Sequence, residues 1–421
     1  MPVDRYDAAS FAPVIAGRSR PARLASEKAA VAEICARVAE EGDAALRELG
    51  LRFDGWAPRD GETFEVSKAE LERAADRLDG ADRAALEFAA QRIRNFHSRQ
   101  LEPEFRGEGG LNIRTRPVRR AGVYAPGGRA PYPSTVLMTA IPARVAGVDE
   151  LVLATPPRRD GTVPDAILAA AVIAQVDTVY RAGGAQAIAA MAYGTESIPR
   201  VDVVAGPGNI YVTLAKREVF GAVGVDGIAG PTEVLVLADA SARADFVAAD
   251  LAAQLEHDPL AWGVLVTDSA GLATRVEEEL ADLVRGLERA AIIREATCCV
   301  VVARDMAEAV RVVDEFAPEH LLVVAEDADG IAARVRNAGA IFVGPYATVP
   351  LGDYTAGPNH TLPTSGAARY ASPLGVHTFL KRTSVLSLGR EDLVELGEAT
   401  VRLAALEGLG AHAHAVEVRL E

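Results

Sequence analysis

The sequence predicts an α/β protein: two doubly wound units with parallel sheets, a helical N-terminal layer and a small C-terminal element. Three observations carry this. The first hundred residues read as helices, from residue 120 short apolar runs alternate with helical stretches, and after residue 385 the alternation stops. Strand–helix alternation implies parallel sheets covered on both faces.

In the N-terminal layer, Ser67-Lys68-Ala69-Glu70 matches a capping box, and Leu71, Ala74, Ala75 and Leu78 follow on a helical period. Residues 27–48 and 81–98 also read as helices, and His97, among Arg94, Asn95 and Ser98, is expected on a solvated surface. The expected strands are 121–125, 151–154, 178–181, 201–205, 234–238, 262–267, 298–303, 321–325 and 340–343. Helices fit between most of them at 164–175, 184–193, 242–257, 269–289, 306–316 and 328–338. So many strands suit two Rossmann-like units better than one sheet. The boundaries follow: 1–120 helical and packing on the second α/β unit, 121–234 the first unit, 235–384 the second, and 385–421 the C-terminal element. The tail reads as a helix over 391–406 and a short strand at 415–420.

A chain of 421 residues has ample length for such cores. Its net charge of -15 and pI near 5.1 oppose binding to nucleic acid or to an anionic membrane. The N-terminus carries Asp4 and Asp7 without a long apolar run, so no signal peptide is expected. The longest apolar stretch, 166–174, is too short to span a bilayer, and a cytoplasmic protein is expected. Three cysteines make no disulfide framework. Cys298 and Cys299 adjoin Val300-Val301-Val302, and adjacent strand residues face opposite sides, so the two cannot easily share a metal.

Glycine-rich turns follow several strands: Ala125-Pro126-Gly127-Gly128, Ala182-Gly183-Gly184-Ala185-Gln186 and Gly206-Pro207-Gly208-Asn209. Glycine lets backbone amides approach a phosphate, and ligands of open α/β sheets bind beyond the carboxyl ends of the strands. No GxGxxG fingerprint occurs.

The chemistry concentrates in a few short segments. Ala317-Pro318-Glu319-His320 sets a carboxylate beside an imidazole at a helix-to-strand junction. Gly352-Asp353-Tyr354 and Asn359-His360 add an acid and a histidine in a Gly/Pro-rich loop, and Gln254 and His257 share a helix face before Asp258-Pro259 stops the helix. Three of only seven histidines lie in this company. Histidine titrates near neutrality and a glutamate in a cleft is readily tuned upward, so Glu319 and His320 suit proton transfer. Carboxylate, imidazole and amide oxygen suit zinc, manganese or a similar divalent ion.

Taken in order with Tyr124-Ala125-Pro126-Gly127-Gly128, Gly183-Gly184-Ala185-Gln186, Val204-Ala205-Gly206-Pro207-Gly208-Asn209 and Ala229-Gly230-Pro231-Thr232-Glu233-Val234, these segments resemble histidinol dehydrogenase from about residue 20 to the C-terminus. The resemblance implies a zinc- and NAD-dependent cytoplasmic homodimer that oxidises L-histidinol through L-histidinaldehyde to L-histidine with two NAD. It implies zinc ligands Gln254, His257, Asp353 and His412, and Glu319 and His320 as the catalytic acid/base pair. Thr232, His360 and Glu407 would join His320 and the zinc ligands in contacting substrate, and Tyr124, Gln186 and Asn209 would contact NAD on the first unit. Thr232 stands where many family members have serine, with its hydroxyl kept. Glu407 and His412, in the C-terminal element, would act in trans across the dimer. His414 falls outside the matching position and His377 outside the motifs.

Other readings stay open here. The same scaffold could oxidise another alcohol, such as a sulfonated diol. A non-catalytic paralogue could bind metal or nucleotide, although Glu319 and His320 are intact. A phosphate-handling transferase would need a basic clamp that these segments lack.

Overall fold

In a computed structural model of the chain, residues 3–18, 25–59, 61–107, 110–127 and 131–421 are described. Gly128 of the first glycine-rich turn lies outside them. The chain forms two compact units, one of Met1–Gln100 with Val118–Phe379 and a smaller one of Leu101–Pro117 with Leu380–Glu421.

The larger unit holds two parallel sheets. The first runs Thr178–Arg181, Glu150–Thr155, Arg120–Tyr124, Val203–Ala205, Gly224–Val225. The second runs Asp4–Asp7, Thr297–Val302, Trp262–Thr267, Glu233–Ala238, His320–Val324, Ala340–Val343. In each sheet the chain starts at a middle strand, winds outward, then returns to the other side, which is the doubly wound Rossmann order. The second sheet gains an N-terminal strand at its edge, which the sequence pattern does not reveal because Asp4-Arg5-Tyr6-Asp7 is polar.

Both faces of the second sheet are buried. Cys298 joins the apolar cluster on one face with Val300, Leu265 and Leu251, and Cys299 joins the other with Val301, Val264 and Phe316. Burial pushes both thiols up to about 12, so neither supplies a thiolate near neutrality.

The N-terminal layer departs from expectation. Only Asp4–Asp7 and the helix Ala8–Arg18 pack on the second sheet. Helices Ala25–Glu41 and Asp43–Phe53 lie on Gly184–Tyr193 and Ile210–Val219 beside the first sheet, while Lys68–Arg77 and Gly80–His97 lie against Asp165–Ile173 and Pro133–Ala146. Val31, Ile34, Val38, Leu46 and Leu49 fill the surface left by the alanines of Gly184–Tyr193.

In the smaller unit, Leu380–Leu386 and Phe105–Arg106 flank Leu111–Pro117 in an antiparallel sheet, and the helices Arg390–Leu406 and Gly410–Leu420 pack together. The C-terminal element is thus larger than residues 385–421. Its last segment is a helix where a strand at 415–420 was expected. The alternating Val416-Glu417-Val418 suggested a strand, but Val416 and Leu420, one helical turn apart, close over Gly397.

Candidate functional site

Helix Met306–Phe316 ends on Ala317, whose φ of 50° is left-handed, and Pro318 prevents the helix from continuing. The chain therefore turns sharply, and His320 opens the next strand with Glu319 just before it. Strand Glu233–Ala238 pairs alongside, with His320 opposite Val234. Helix Ala244–Leu255 runs back along the sheet and delivers Gln254 and His257 to the same, amino, end of the strands. Glu319 and His320 thus sit at the amino end of the strands, as their helix-to-strand junction implies, and opposite to the carboxyl ends where ligands of open sheets generally bind.

The side chains form a connected set. Thr232 donates its hydroxyl to Glu319 Oε2 at 2.6 Å and accepts from Gln254 Nε2. The Glu233 N–H donates to the same Glu319 oxygen at 2.8 Å. His320 Nδ1 lies 3.0 Å from the Glu233 carbonyl oxygen and 3.5 Å from Glu319 Oε2, and its Nε2 lies 3.7 Å from Asp353 Oδ1. That Nε2 is buried without a hydrogen-bond partner, an unpaired polar atom beside the Asp353 carboxylate. Burial works against a charged His320, yet Glu319 and Asp353 on either side outweigh it and hold the imidazole well above the ordinary histidine range. Burial likewise opposes the Asp353 charge, and His320, with His360 and His257 beyond, holds that carboxyl below its usual range.

His257, His320 and His360 share one device. Each places Nδ1 about a hydrogen bond from a backbone carbonyl: 2.9 Å to Ala253, 3.0 Å to Glu233 and 2.9 Å to Asp353. A donating Nδ1–H aims each Nε2 away from the main chain; in His360, which burial keeps below the ordinary histidine range, it leaves the lone pair that a base or a metal ligand needs, whereas His320 carries a proton there until it is drawn off.

The first sheet carries the other cluster. Its chain order reverses between Arg120–Tyr124 and Val203–Ala205, the crevice where nucleotides bind in doubly wound folds. Tyr124 ends one of these strands, and its Oη accepts from the Gly184 N–H at 3.0 Å. Gln186 is buried in the first turn of the next helix. Asn209 caps the helix Ile210–Val219, accepting from Tyr211 and Val212 N–H at 3.0 and 3.2 Å. Gly206 before it has φ 122°, and a Cβ there would collide with the Tyr124 carbonyl oxygen. Buried Lys216 donates to the Gly206 carbonyl at 3.0 Å while its ion-pair partner Asp226 accepts the Gly206 N–H at 2.8 Å.

The remaining expected site residues, Glu407 and His412, belong to the smaller unit. Glu407 caps the helix Arg390–Leu406, and His412 lies in the first turn of Gly410–Leu420, both exposed. His414 is exposed on the same helix.

The family described as histidinol dehydrogenase matches residues 18–420. The chain is 47% identical to the histidinol dehydrogenase of Prochlorococcus marinus (strain MIT 9313) over 425 residues, covering 99% of this chain and 96% of the relative. It is 48% identical to that of Aquifex aeolicus (strain VF5) over 395 residues, covering 92% and 91%. The crystal structure of histidinol dehydrogenase from Elizabethkingia anophelis matches with a TM-score of 0.91 at 33% identity, covering 100% of this chain and 98% of that one. The chain belongs to the histidinol dehydrogenase family. It is accordingly an oxidoreductase of the class that acts on CH–OH groups.

For this histidinol dehydrogenase family member, the structure adds residues that the sequence pattern did not single out. Asp54, at the end of helix Asp43–Phe53, accepts from the Gly183 N–H and from Gln186 Nε2, both at 3.3 Å. Nothing in its neighbourhood in sequence marks it; only the packing of that helix on Gly184–Tyr193 brings it in. Burial pushes its carboxyl up to about 6, with the two donors pulling the other way. Below that pH the group takes a proton and holds Gln186 less well. On the reading that Gln186 contacts NAD, the KM for NAD is expected to rise as pH falls below about 6, and Asp54→Asn should raise it at all pH values and flatten that dependence, as read by initial rates.

His97 overturns expectation. It is fully buried, with Nδ1 2.8 Å from the Ile93 carbonyl and Nε2 3.4 Å from Asn359 Nδ2. It sits one turn after Ile93 on the buried face, while its sequence neighbours face outward. Asn359 also donates to the Met138 carbonyl at 2.6 Å, so this contact anchors the loop that presents His360.

Among the described residues, no group of three or more His, Cys, Asp or Glu is placed to hold a metal ion, and no helix is long and apolar enough to cross a membrane. One chain offers at this place an imidazole, a carboxylate and an amide. Gln254 commits Nε2 to Thr232, and its Oε1 is the donor atom left over. That nitrogen-and-oxygen set fits zinc once another donor joins it.

Proposed function

We propose that this chain oxidises L-histidinol through L-histidinaldehyde to L-histidine, the last step of histidine biosynthesis, with NAD as hydride acceptor and zinc as anchor. The observation that carries the reading is the coupled pair Glu319–His320, held by Thr232 and Glu233 with the unpartnered Nε2 of His320 beside Asp353.

Gln254, His257 and Asp353 would hold zinc with His412, and the ion would supply a Lewis-acid anchor for the substrate. Tyr124, Gln186 and Asn209 would hold NAD, which would supply the hydride acceptor for each oxidation. His320, once its Nε2 proton has been given up, takes the hydroxyl proton of the alcohol there. Glu319 then removes a proton from a water that adds to the aldehyde while His320 returns its proton to the carbonyl oxygen, and His320, neutral again, takes the hydroxyl proton of the resulting hydrate. Thr232 keeps one Glu319 oxygen oriented, leaving the other for the water. His360, Glu407 and the metal residues position the substrate; orientation of reactants contributes roughly 7–11 kcal/mol in the best intramolecular cases.

Glu407 and His412 act in trans across a homodimer. The smaller unit supports this: Leu396, Leu403, Leu406 and Val418 are exposed on its helices, apolar surface that a second chain would cover.

The test is NADH production from L-histidinol with and without a chelator, beside a sulfonated diol as competitor substrate. Chelator-sensitive turnover specific to histidinol is expected. Chelator-resistant turnover, or preference for the diol, overturns the reading.

A further inference from the structure

Behind the acid/base pair lies a buried ion pair that takes no part in the chemistry. Arg18 is the last residue of the helix Ala8–Arg18 and Glu233 the first of the strand Glu233–Ala238. Their side chains are 3% and 1% exposed, with Arg18 Nε 3.4 Å from Glu233 Oε1. Taking two charges out of water is costly for folding, and apolar residues of similar volume often serve stability as well or better. The arrangement calls for another account.

Arg18 grips both chain segments that hold the pair. Its Nη2 donates to the Phe316 carbonyl at 2.6 Å, and its Cζ stands 3.5 Å from the centre of the Phe316 ring. Phe316 ends the helix that leads directly into Glu319 and His320. On the other side, the main chain of Glu233 donates to Glu319 Oε2 and accepts from His320 Nδ1. The Ser365 N–H donates to Glu233 Oε1 at 3.2 Å. One guanidinium therefore fixes the helix end before the pair and the strand start beneath it.

The charges are coupled as well. Burial pushes the Glu233 carboxyl up, the Arg18 guanidinium opposes this and keeps the pair ionic, and Glu319 adds to the upward push. Arg369 faces Arg18 from the loop side; His320 faces Glu319, with Asp353 and His360 beyond.

We propose that Arg18 and Glu233 are positioning residues for the reaction: their buried ion pair fixes the orientation and charge balance of Glu319 and His320 through Phe316 and the Glu233 main chain. The inference rests on Glu319 and His320 being the acid/base pair.

The experiment follows aldehyde oxidation against pH in R18M, E233Q, R18K and the R18M/E233Q double variant, with E319Q alongside. R18M leaves a carboxyl without its counter-charge beside Glu319, so the acid limb should move to higher pH. E233Q leaves an unpaired guanidinium, so the limb should move to lower pH. The double variant and R18K should bring the limb back to the wild-type position. R18M should lower kcat by about 10²-fold, the scale of a small misplacement, with much less change in KM. Should R18M fail to fold, E233Q against R18K still gives the displacement. Limbs of R18M and E233Q that coincide with wild type, or move the same way, overturn the inference while an E319Q defect leaves the acid/base reading standing. Full aldehyde oxidation by E319Q overturns both.

Discussion

Replacing Glu319 by glutamine is expected to lower aldehyde oxidation by about 10²–10⁴-fold, the range a positioned general base contributes, while alcohol oxidation stays within about tenfold of wild type. Glutamine keeps the shape, and its carbonyl oxygen can still accept from the Thr232 hydroxyl and the Glu233 N–H. It cannot take a proton from water. The alcohol step draws on His320, whose Nδ1 contact to the Glu233 carbonyl does not depend on residue 319. Separate assays starting from L-histidinol and from L-histidinaldehyde distinguish the steps. Equal loss in both would remove Glu319 from the hydration step and leave it as a support for His320.

His257→Asn should cost zinc and turnover together. His257 is exposed at the end of helix Ala244–Leu255, with Nδ1 turned to the Ala253 carbonyl. Asparagine is too short to place a donor where Nε2 stands. Zinc affinity should fall by more than the roughly 10–100-fold that loss of an outer-shell partner costs. Folding should change within about 0.5 kcal/mol, because the side chain is exposed and adds nothing to the core. Metal content after gel filtration, read beside the thermal midpoint, checks both statements. A variant that keeps its zinc and loses turnover would make His257 a substrate contact only.

Much of the fold was legible because buried parallel strands leave unmistakable apolar runs. Thr297–Val302 and Glu233–Ala238 are buried on both faces, so nearly every residue is apolar. The polar edge strand Asp4–Asp7 and the antiparallel Leu111–Pro117, with its alternating arginines, lack that mark. The site was legible in its residue types, less so in its geometry. Gln254 and His257 lie one helical turn apart, which spacing alone reveals. Asp54 and Arg18 reach their clusters only through tertiary packing, and no local pattern encodes that. His97 misled because its chemistry is polar while its helical phase, one turn from Ile93, is that of the core. The placement of Glu319 and His320 at the amino end of a strand was legible, because their segment falls between a helix and the strand that follows.

The three imidazoles that turn Nδ1 to main-chain oxygens carry a lesson about tolerance to change. Because those acceptors belong to the peptide backbone, no neighbouring side chain has to survive for each ring to keep its orientation. Substitutions around the pocket, serine for Thr232 among them, can therefore drift or be engineered toward altered substrates while the rings stay aimed. The charge of His320 rests instead on Glu319 and Asp353, so selection for new specificity in this scaffold is freer everywhere than at those two acids.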